Sequence, residues 1–469
     1  MLNSRPNILI LMPDQLRKDS MGCAGHQLIK TPNIDLLATE GVRFLNAFTV
    51  CPICMPARAS FISGLYPHNH GMWTNSGQLP ANDETFFHHL QKAGYYVAYI
   101  GKSHYYPHGN LHMKDKEDYM HARGIDYVHE TTGPWATTTT DSYMTDHWQE
   151  KGLLKMFRDD YARRRQYGHR AVWHSPLPVD EFLDSYIGRK AVEFIESYDY
   201  NKPFCLFVGF GGPHEPWDAP GEYATMYNPE YTPLHIQPEN PAHWVTEYAK
   251  NRMMHGRIEG MTEDEIRKIR ANYYGKILLI DNWFGLIFSA MGKRGWWDDA
   301  LVVLWSDHGE MAGDHLRLHK SVFYNSSVRV PLIIRWRNQL NINTTSDALA
   351  QIIDVYPTIL EAVGAEPSRR CFGKSLIPVL KDPKTQHRDA VFSEIHSEGH
   401  YNIMVCTERY KYAMDDTGKG YMLYDIANDP DEQKNLIVKA DFQKIEHECR
   451  DQILRFMINT QFQRDIIPI

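Results

Sequence analysis

Cysteine is scarce in this chain: there are 7 in 469 residues, an odd number. Cys23, Cys51, Cys54, Cys205, Cys371, Cys406 and Cys449 are too few and too scattered for a disulfide framework, so any cysteine chemistry belongs to single thiols. Long apolar runs are also missing. Residues 8–12 and 300–305 fall far short of the ~20 that a membrane span needs, which argues against a membrane partner. Basic charge is not in excess. Lys and Arg number 50 against 58 Asp and Glu, a net charge of −8, without the basic stripe that would mark a nucleic-acid partner. No low-complexity tract or fixed-period repeat is present. No basic segment followed by an apolar stretch and a cleavage site opens the sequence, so the expected location is cytoplasmic.

What is present is ordinary globular composition, 43% apolar and 23% charged. The length suggests two or three domains at ~150 residues each. Residues 7–12, 96–100, 204–210, 301–305 and 331–336 are apolar without alternation and predict buried strands. Between them lie helical patterns. Thr31, Pro32 and Gly41 bracket one helix, and Thr262 with Glu265 opens a long one that Gly292 is expected to close. Strands alternating with helices predict an α/β fold whose central sheet is mostly parallel and flanked by helices, over residues 1–375. Residues 376–469 predict a smaller α+β subdomain. It has short antiparallel strands at 390–394, 403–407 and 410–414, a turn-rich connection through 423–425 and 429–431, and a terminal helix at 441–459. Residues 106–200, rich in aromatics and His, form either an insertion that shapes a pocket or packed surface loops.

In an open α/β sheet, ligands gather outside the carboxyl ends of the strands. Those ends are unusually polar here: Asp14-Gln15, then Lys102-Ser103-His104, then His214-Glu215-Pro216, then Ser306-Asp307-His308-Gly309-Glu310. Each residue alone has a bland reading as a turn cap or a solvated side chain. Together they predict one site for an oxyanion and a metal. Asp14, Gln15, Asp307 and His308 offer hard oxygens and one imidazole, which suit Ca²⁺, Mg²⁺ or Mn²⁺ better than a thiolate zinc site. Cys51 and Cys54 make one Cys-x-x-Cys with no second pair, which argues against a zinc finger. Pro56 fits the first turn of a helix ending at Gly64. That puts Cys54 at the helix N-terminus, where developing negative charge is favoured, with Arg58 on the same face.

Cys54-Met-Pro56-Ala-Arg58-Ala-Ser60-Phe-Ile-Ser-Gly64 resembles the signature of the type I sulfatases of the alkaline phosphatase superfamily. The resemblance extends over nearly the whole chain, through Thr31-Pro-Asn-Ile-Asp35, Gly101-Lys-Ser-His104, Gly212-Pro-His214, Ser306-Asp-His-Gly309-Glu310 and Asp429-Pro-Asp-Glu432. It implies an alkaline-phosphatase-like fold and a Cys54 converted to formylglycine (3-oxoalanine) by a maturation enzyme. The aldehyde, hydrated to a gem-diol bound to the metal, would attack the sulfur of a sulfate ester and form a covalent sulfo-enzyme. Loss of a proton from the other hydroxyl would then expel sulfate. The resemblance assigns Asp14, Gln15, Asp307 and His308, with residue 54, to the metal, Ca²⁺ by family habit and Mn²⁺ or Mg²⁺ as alternatives given His308. It assigns Arg58 and Lys102 to the nucleophile oxygens, His104 to the base, and His214 and Lys320 to the transferring group and leaving oxygen. Asn75 matches a substrate-contacting asparagine. Tyr105, like Trp73, Trp135 and Trp173, offers a ring to a sugar or aryl group.

Many sulfatases carry Asp-Asp and Asp-Asn where this chain has Asp14-Gln15 and Asp307-His308. The departure is similar to the phosphonate monoester hydrolases and phosphodiesterases, so hydrolysis of those phosphorus esters at the same site is the alternative. A third reading is a non-catalytic metal-binding protein that keeps Cys54 as a thiol. The sequence leaves oligomeric state open, a homo-oligomer included.

Overall fold

Alternate residues of the first strand feed two different cores. In β1 (Ile8–Asp14), Ile8, Ile10 and Met12 face one apolar cluster, and Leu9 and Leu11 face another. Such a strand must be covered on both faces, which is why it shows no polar alternation. The computed structural model describes residues 5–80, 83–238, 258, 260–340, 342–397, 399–437 and 439–461; the opening Met1-Leu-Asn-Ser read above lies outside them.

The strands are β1, β2 (Val42–Phe48), β3 (Tyr96–Lys102), β4 (Tyr127–Thr131), β5 (Phe204–Pro213), β6 (Leu301–Trp305), β7 (Leu332–Arg335) and β8 (Thr344–Gln351). They form one eight-stranded sheet in the order β4-β3-β5-β1-β6-β7-β2-β8. β7 runs antiparallel to β6 and β2, and the other recorded pairings are parallel. β9 (Val391–Ser397), β10 (His400–Cys406), β11 (Tyr410–Asp415) and β12 (Gly420–Asp425) form a separate antiparallel sheet of four strands. The helix Gln443–Asn459 contributes Cys449, Ile453 and Phe456 to the apolar cluster that also holds Ile403 and Val405. The α/β class with its small C-terminal antiparallel sheet is therefore as the sequence predicts.

One face of the main sheet holds the helix Cys54–Ser63, every residue of which is buried. Phe61 stacks on Trp305 with ring centroids 3.8 Å apart and planes 3° from parallel. Burying two such rings contributes about 1.5–3 kcal/mol each, and the stack fixes this helix over β6. On the other face lie the helices Leu183–Ser197 and Glu263–Lys293.

The structure corrects several local expectations. Residues 106–200 are not a simple insertion, because they contain β4, the edge strand of the main sheet, and the core helix Leu183–Ser197. Residues 423–425 belong to β12 rather than to a turn-rich connection. The long helix opens with the Thr262–Glu265 capping box, but it runs through Gly292 to Lys293 and turns at Gly295, whose φ is 69°. The Thr31 hydroxyl does not cap its helix; it donates to Asp35 Oδ1 at 2.9 Å.

Candidate active site

Four strand ends and one helix N-terminus meet above the carboxyl edge of the sheet. Asp14 is the last residue of β1, and Asp307 follows β6 by two residues. Between them lies Arg58, one turn into the helix Cys54–Ser63. Its Nε donates to Asp307 Oδ2 and an Nη to Asp14 Oδ2, both at 2.9 Å, and its other Nη donates to the Lys102 carbonyl at 2.7 Å. Lys102, the last residue of β3, also pairs with Asp14 Oδ2. All four charged groups are at most 3% exposed. Burying charge without partners is prohibitive, and this network keeps the carboxylates ionised.

Cys54 is the first residue of its helix and 1% exposed. Its Sγ lies 3.0 Å from His308 Nε2 and also hydrogen-bonds His104. Asn75 supports this end: its Oδ1 accepts from the Met55 N–H at 3.1 Å, so it sits one residue from Cys54. Burial alone would raise the Cys54 thiol, but Lys320, His308 and Lys102 outweigh it and hold the group well below its ordinary value. The same field would stabilise an anionic oxygen at this position. Burial favours neutral His104, and Lys102 and Arg58 add to that, lowering it to about 4 despite its bond to Cys54. Asp14, which burial would raise, is brought down to about 2 chiefly by Lys102 and Arg58.

A second group of side chains borders this floor. His214, just beyond β5, is held through Nδ1, 2.7 Å from the Glu215 carbonyl and 3.1 Å from Glu215 Oε2. Its Nε2 meets Lys320 Nζ at 2.7 Å. Lys276, buried on the long helix, donates to the His214 carbonyl at 2.7 Å and to Asp218 Oδ1 at 2.9 Å, which anchors the His214 loop. Gln15 Nε2 donates to Glu215 and Glu310, and its Oε1 accepts from Lys320. Glu215 and Glu310 stand in the polar strand ends read from the sequence but were given no role there, and His319, beside Lys320, was not singled out. Tyr105 departs from expectation too. It is 1% exposed and set edge-on to Tyr99 at 5.7 Å, so it packs beneath the Lys102–His104 turn instead of facing a ligand.

Beyond Glu215 and His319 the surface opens into a cleft of about 390 Å³, lined also by Trp135, Arg165, His169 and Trp217. Trp73 packs instead on His396 and Tyr401. Trp173 lies under the guanidinium groups of Arg163 and Arg164.

Comparison with known proteins places this geometry. The sequence model of the family described as Sulfatase matches residues 6–365. The chain belongs to the sulfatase family. A second family model, N-sulphoglucosamine sulphohydrolase, C-terminal, matches residues 313–459. The chain is 30% identical to the multifunctional alkaline phosphatase superfamily protein PehA of Trinickia caryophylli, over 92% of this chain and 91% of that one. It is 29% identical to an arylsulfatase of Clostridium perfringens, over 94% and 92%. Among solved structures, the phosphonate monoester hydrolase of Agrobacterium radiobacter superposes with a TM-score of 0.81 at 24% identity, covering 97% of this chain and 96% of that one. A structure solved with D-glucosamine-2-N,6-O-disulfate superposes with a TM-score of 0.74 at 22% identity, covering 97% and 98%.

Members of the sulfatase family carry a divalent cation, and the residues here fit one. Asp14, Cys54, Asp307 and His308 each offer a donor atom, all buried and within 4.8 Å of one another. Asp14 Oδ1 is buried with no hydrogen-bond partner, as a lone pair reserved for a cation would be. Two carboxylates and an imidazole suit a hard divalent ion.

Proposed function

We propose that this sulfatase-family hydrolase cleaves a small-molecule sulfuric ester, with residue 54, oxidised from Cys to formylglycine by a maturation enzyme, as its nucleophile. The observation that carries the reading is Cys54 itself, buried at a helix N-terminus among Lys102, Lys320 and Arg58 with His104 and His308 on its sulfur. A divalent cation held by Asp14, Gln15, Asp307 and His308, Ca²⁺ by family habit with Mn²⁺ or Mg²⁺ as alternatives, would supply Lewis-acid charge beside residue 54.

The chain's own groups divide the work. Arg58 and Lys102 are fixed before substrate arrives, so their charge stabilises the nucleophile without reorganisation. The hydrated aldehyde carries two hydroxyls on one carbon. One oxygen would take the sulfuryl group as the S–O bond to the alcohol breaks, and the other would give its proton to His104, which burial keeps neutral and so available as a base. The carbonyl would then re-form as sulfate leaves by C–O cleavage. A plain thiol has no second hydroxyl and stops after one transfer. His214 and Lys320, joined at 2.7 Å, would give the leaving oxygen its proton.

A second reading keeps the same site but takes phosphonate monoesters or phosphodiesters. Asp14-Gln15 with Asp307-His308 favours it, and the Agrobacterium radiobacter phosphonate monoester hydrolase shares this fold. Steady-state kinetics of fully matured protein on 4-nitrophenyl sulfate, phenylphosphonate monoester and bis(4-nitrophenyl) phosphate separate the two. Sulfate-ester turnover with the highest kcat/KM supports the first reading. Turnover of the phosphorus esters alone replaces it with the second.

A further inference from the structure

The cleft bordering the floor has walls that the chemistry at residue 54 does not use. Its lining includes Glu215 and His319, the chain neighbours of His214 and Lys320, so the cleft borders the pair that would serve a leaving oxygen. Trp135 and Trp217 supply flat apolar surface. Glu215, His169 and His319 supply polar edges, with His319 Nε2 3.2 Å from His169 Nδ1. Arg165 stands at the mouth, exposed, its guanidinium 5.8 Å from the Trp135 ring centre. One Nη donates to Thr138 Oγ1 at 2.9 Å, and no carboxylate among the described residues pairs with it.

A ring with apolar faces and hydroxyl edges matches this lining, because indole faces pack against C–H faces while carboxylate and imidazole groups bind hydroxyls. A quaternary ammonium does not match. The one carboxylate among the described lining residues, Glu215, is already paired with His214, His319 and Lys320, and Arg165 adds positive charge. A bare aryl ring would match the indole faces and leave Arg165 unused. Arg165, a forked donor with no acidic partner among the described residues, is suited to a carboxylate or a second sulfate.

We propose that this cleft is the leaving-group site, that it takes a sugar sulfate carrying a second anionic substituent, and that Arg165 reads that substituent. The inference rests on the sulfuric-ester reading above and adds to it the class of the alcohol.

The test uses matured full-length protein and Arg165→Ala on three substrates: 4-nitrophenyl sulfate, N-acetylglucosamine 6-sulfate and glucosamine 2-N,6-O-disulfate. The wild type is expected to prefer the disulfated sugar. Arg165→Ala is expected to lower the disulfate-to-monosulfate ratio of kcat/KM by about tenfold, through KM, on the scale of one hydrogen bond to a charged group. Arg165→Lys is expected to restore part of the ratio. An unchanged ratio, or turnover of 4-nitrophenyl sulfate with neither sugar cleaved, overturns the inference and leaves the sulfuric-ester reading standing. If no sulfate is released from any of the three, that reading fails instead. Calorimetric titration of Cys54→Ala protein then judges the cleft alone: tighter binding of glucosamine 2-N,6-O-disulfate than of choline sulfate supports it, and the reverse order overturns it.

Discussion

The floor of the site and the cleft beside it are built in opposite ways. On the floor, Asp14, Cys54, Arg58, Lys102, Asp307 and His308 are at most 3% exposed and stand on three strand ends and one helix. In the cleft, Trp135, Arg165, His169 and His319 are partly or fully exposed and come from short helical turns, a surface helix and a loop. Rigid elements hold charge in place for bond breaking, and surface segments face the variable part of the ligand. Substitutions on the floor should therefore lower kcat for every substrate by a similar factor. Substitutions in the cleft should change KM, and differently for each substrate.

The largest break comes from Cys54→Ala, expected to abolish multiple turnover on all substrates in steady-state assays. Asp307→Asn should follow, because it removes a charge from the cation group and from Arg58 together. Lower bound metal by elemental analysis, along with lost rate, is the expected pair of results, and a full metal complement would break the assignment. His214→Ala should lower kcat by roughly 10²-fold, the scale of one lost oxyanion donor. Wild-type turnover in that variant would remove His214 from the leaving-group role.

The smallest effect is on stability and sharpens the comparison from below. Glu130 lies fully buried under the Lys102–His104 turn, and burial raises it from 4.5 to about 8. The fold therefore favours its protonated form. That contribution is complete below about pH 4.5 and is lost as pH rises through 8. Glu130→Gln should flatten the fall of Tm between pH 5 and 9 in thermal melts and leave Tm at pH 4.5 nearly unchanged. An unaltered slope would contradict the neutral carboxyl.

The floor was legible in the sequence because its residues sit at fixed offsets from strong local signals. Asp14, Lys102, His214 and Asp307 each end or follow an apolar strand. Gly64, with φ of 71°, ends the helix that presents Cys54. The partners of the second group were harder to find. Nothing local says that Glu215, Glu310 and Gln15 converge, since their contacts cross about 200 to 295 positions of chain. Three sheet strands also escaped. β2 mixes buried and half-exposed residues, and β4 and β8 are edge strands with polar members such as His129 and Asp347. An edge strand is half solvated, so its apolar signal is weak. Tyr105 was misplaced for a related reason: an aromatic ring beside a site motif has the same sequence signature whether it supports the turn or faces the ligand.

The central claim concerns one side chain, and mass spectrometry of the peptide containing residue 54, taken from protein made in its own host, tests it most directly. The account predicts an aldehyde, trapped quantitatively by a hydrazide reagent. An intact thiol in protein that turns over sulfate esters would contradict it.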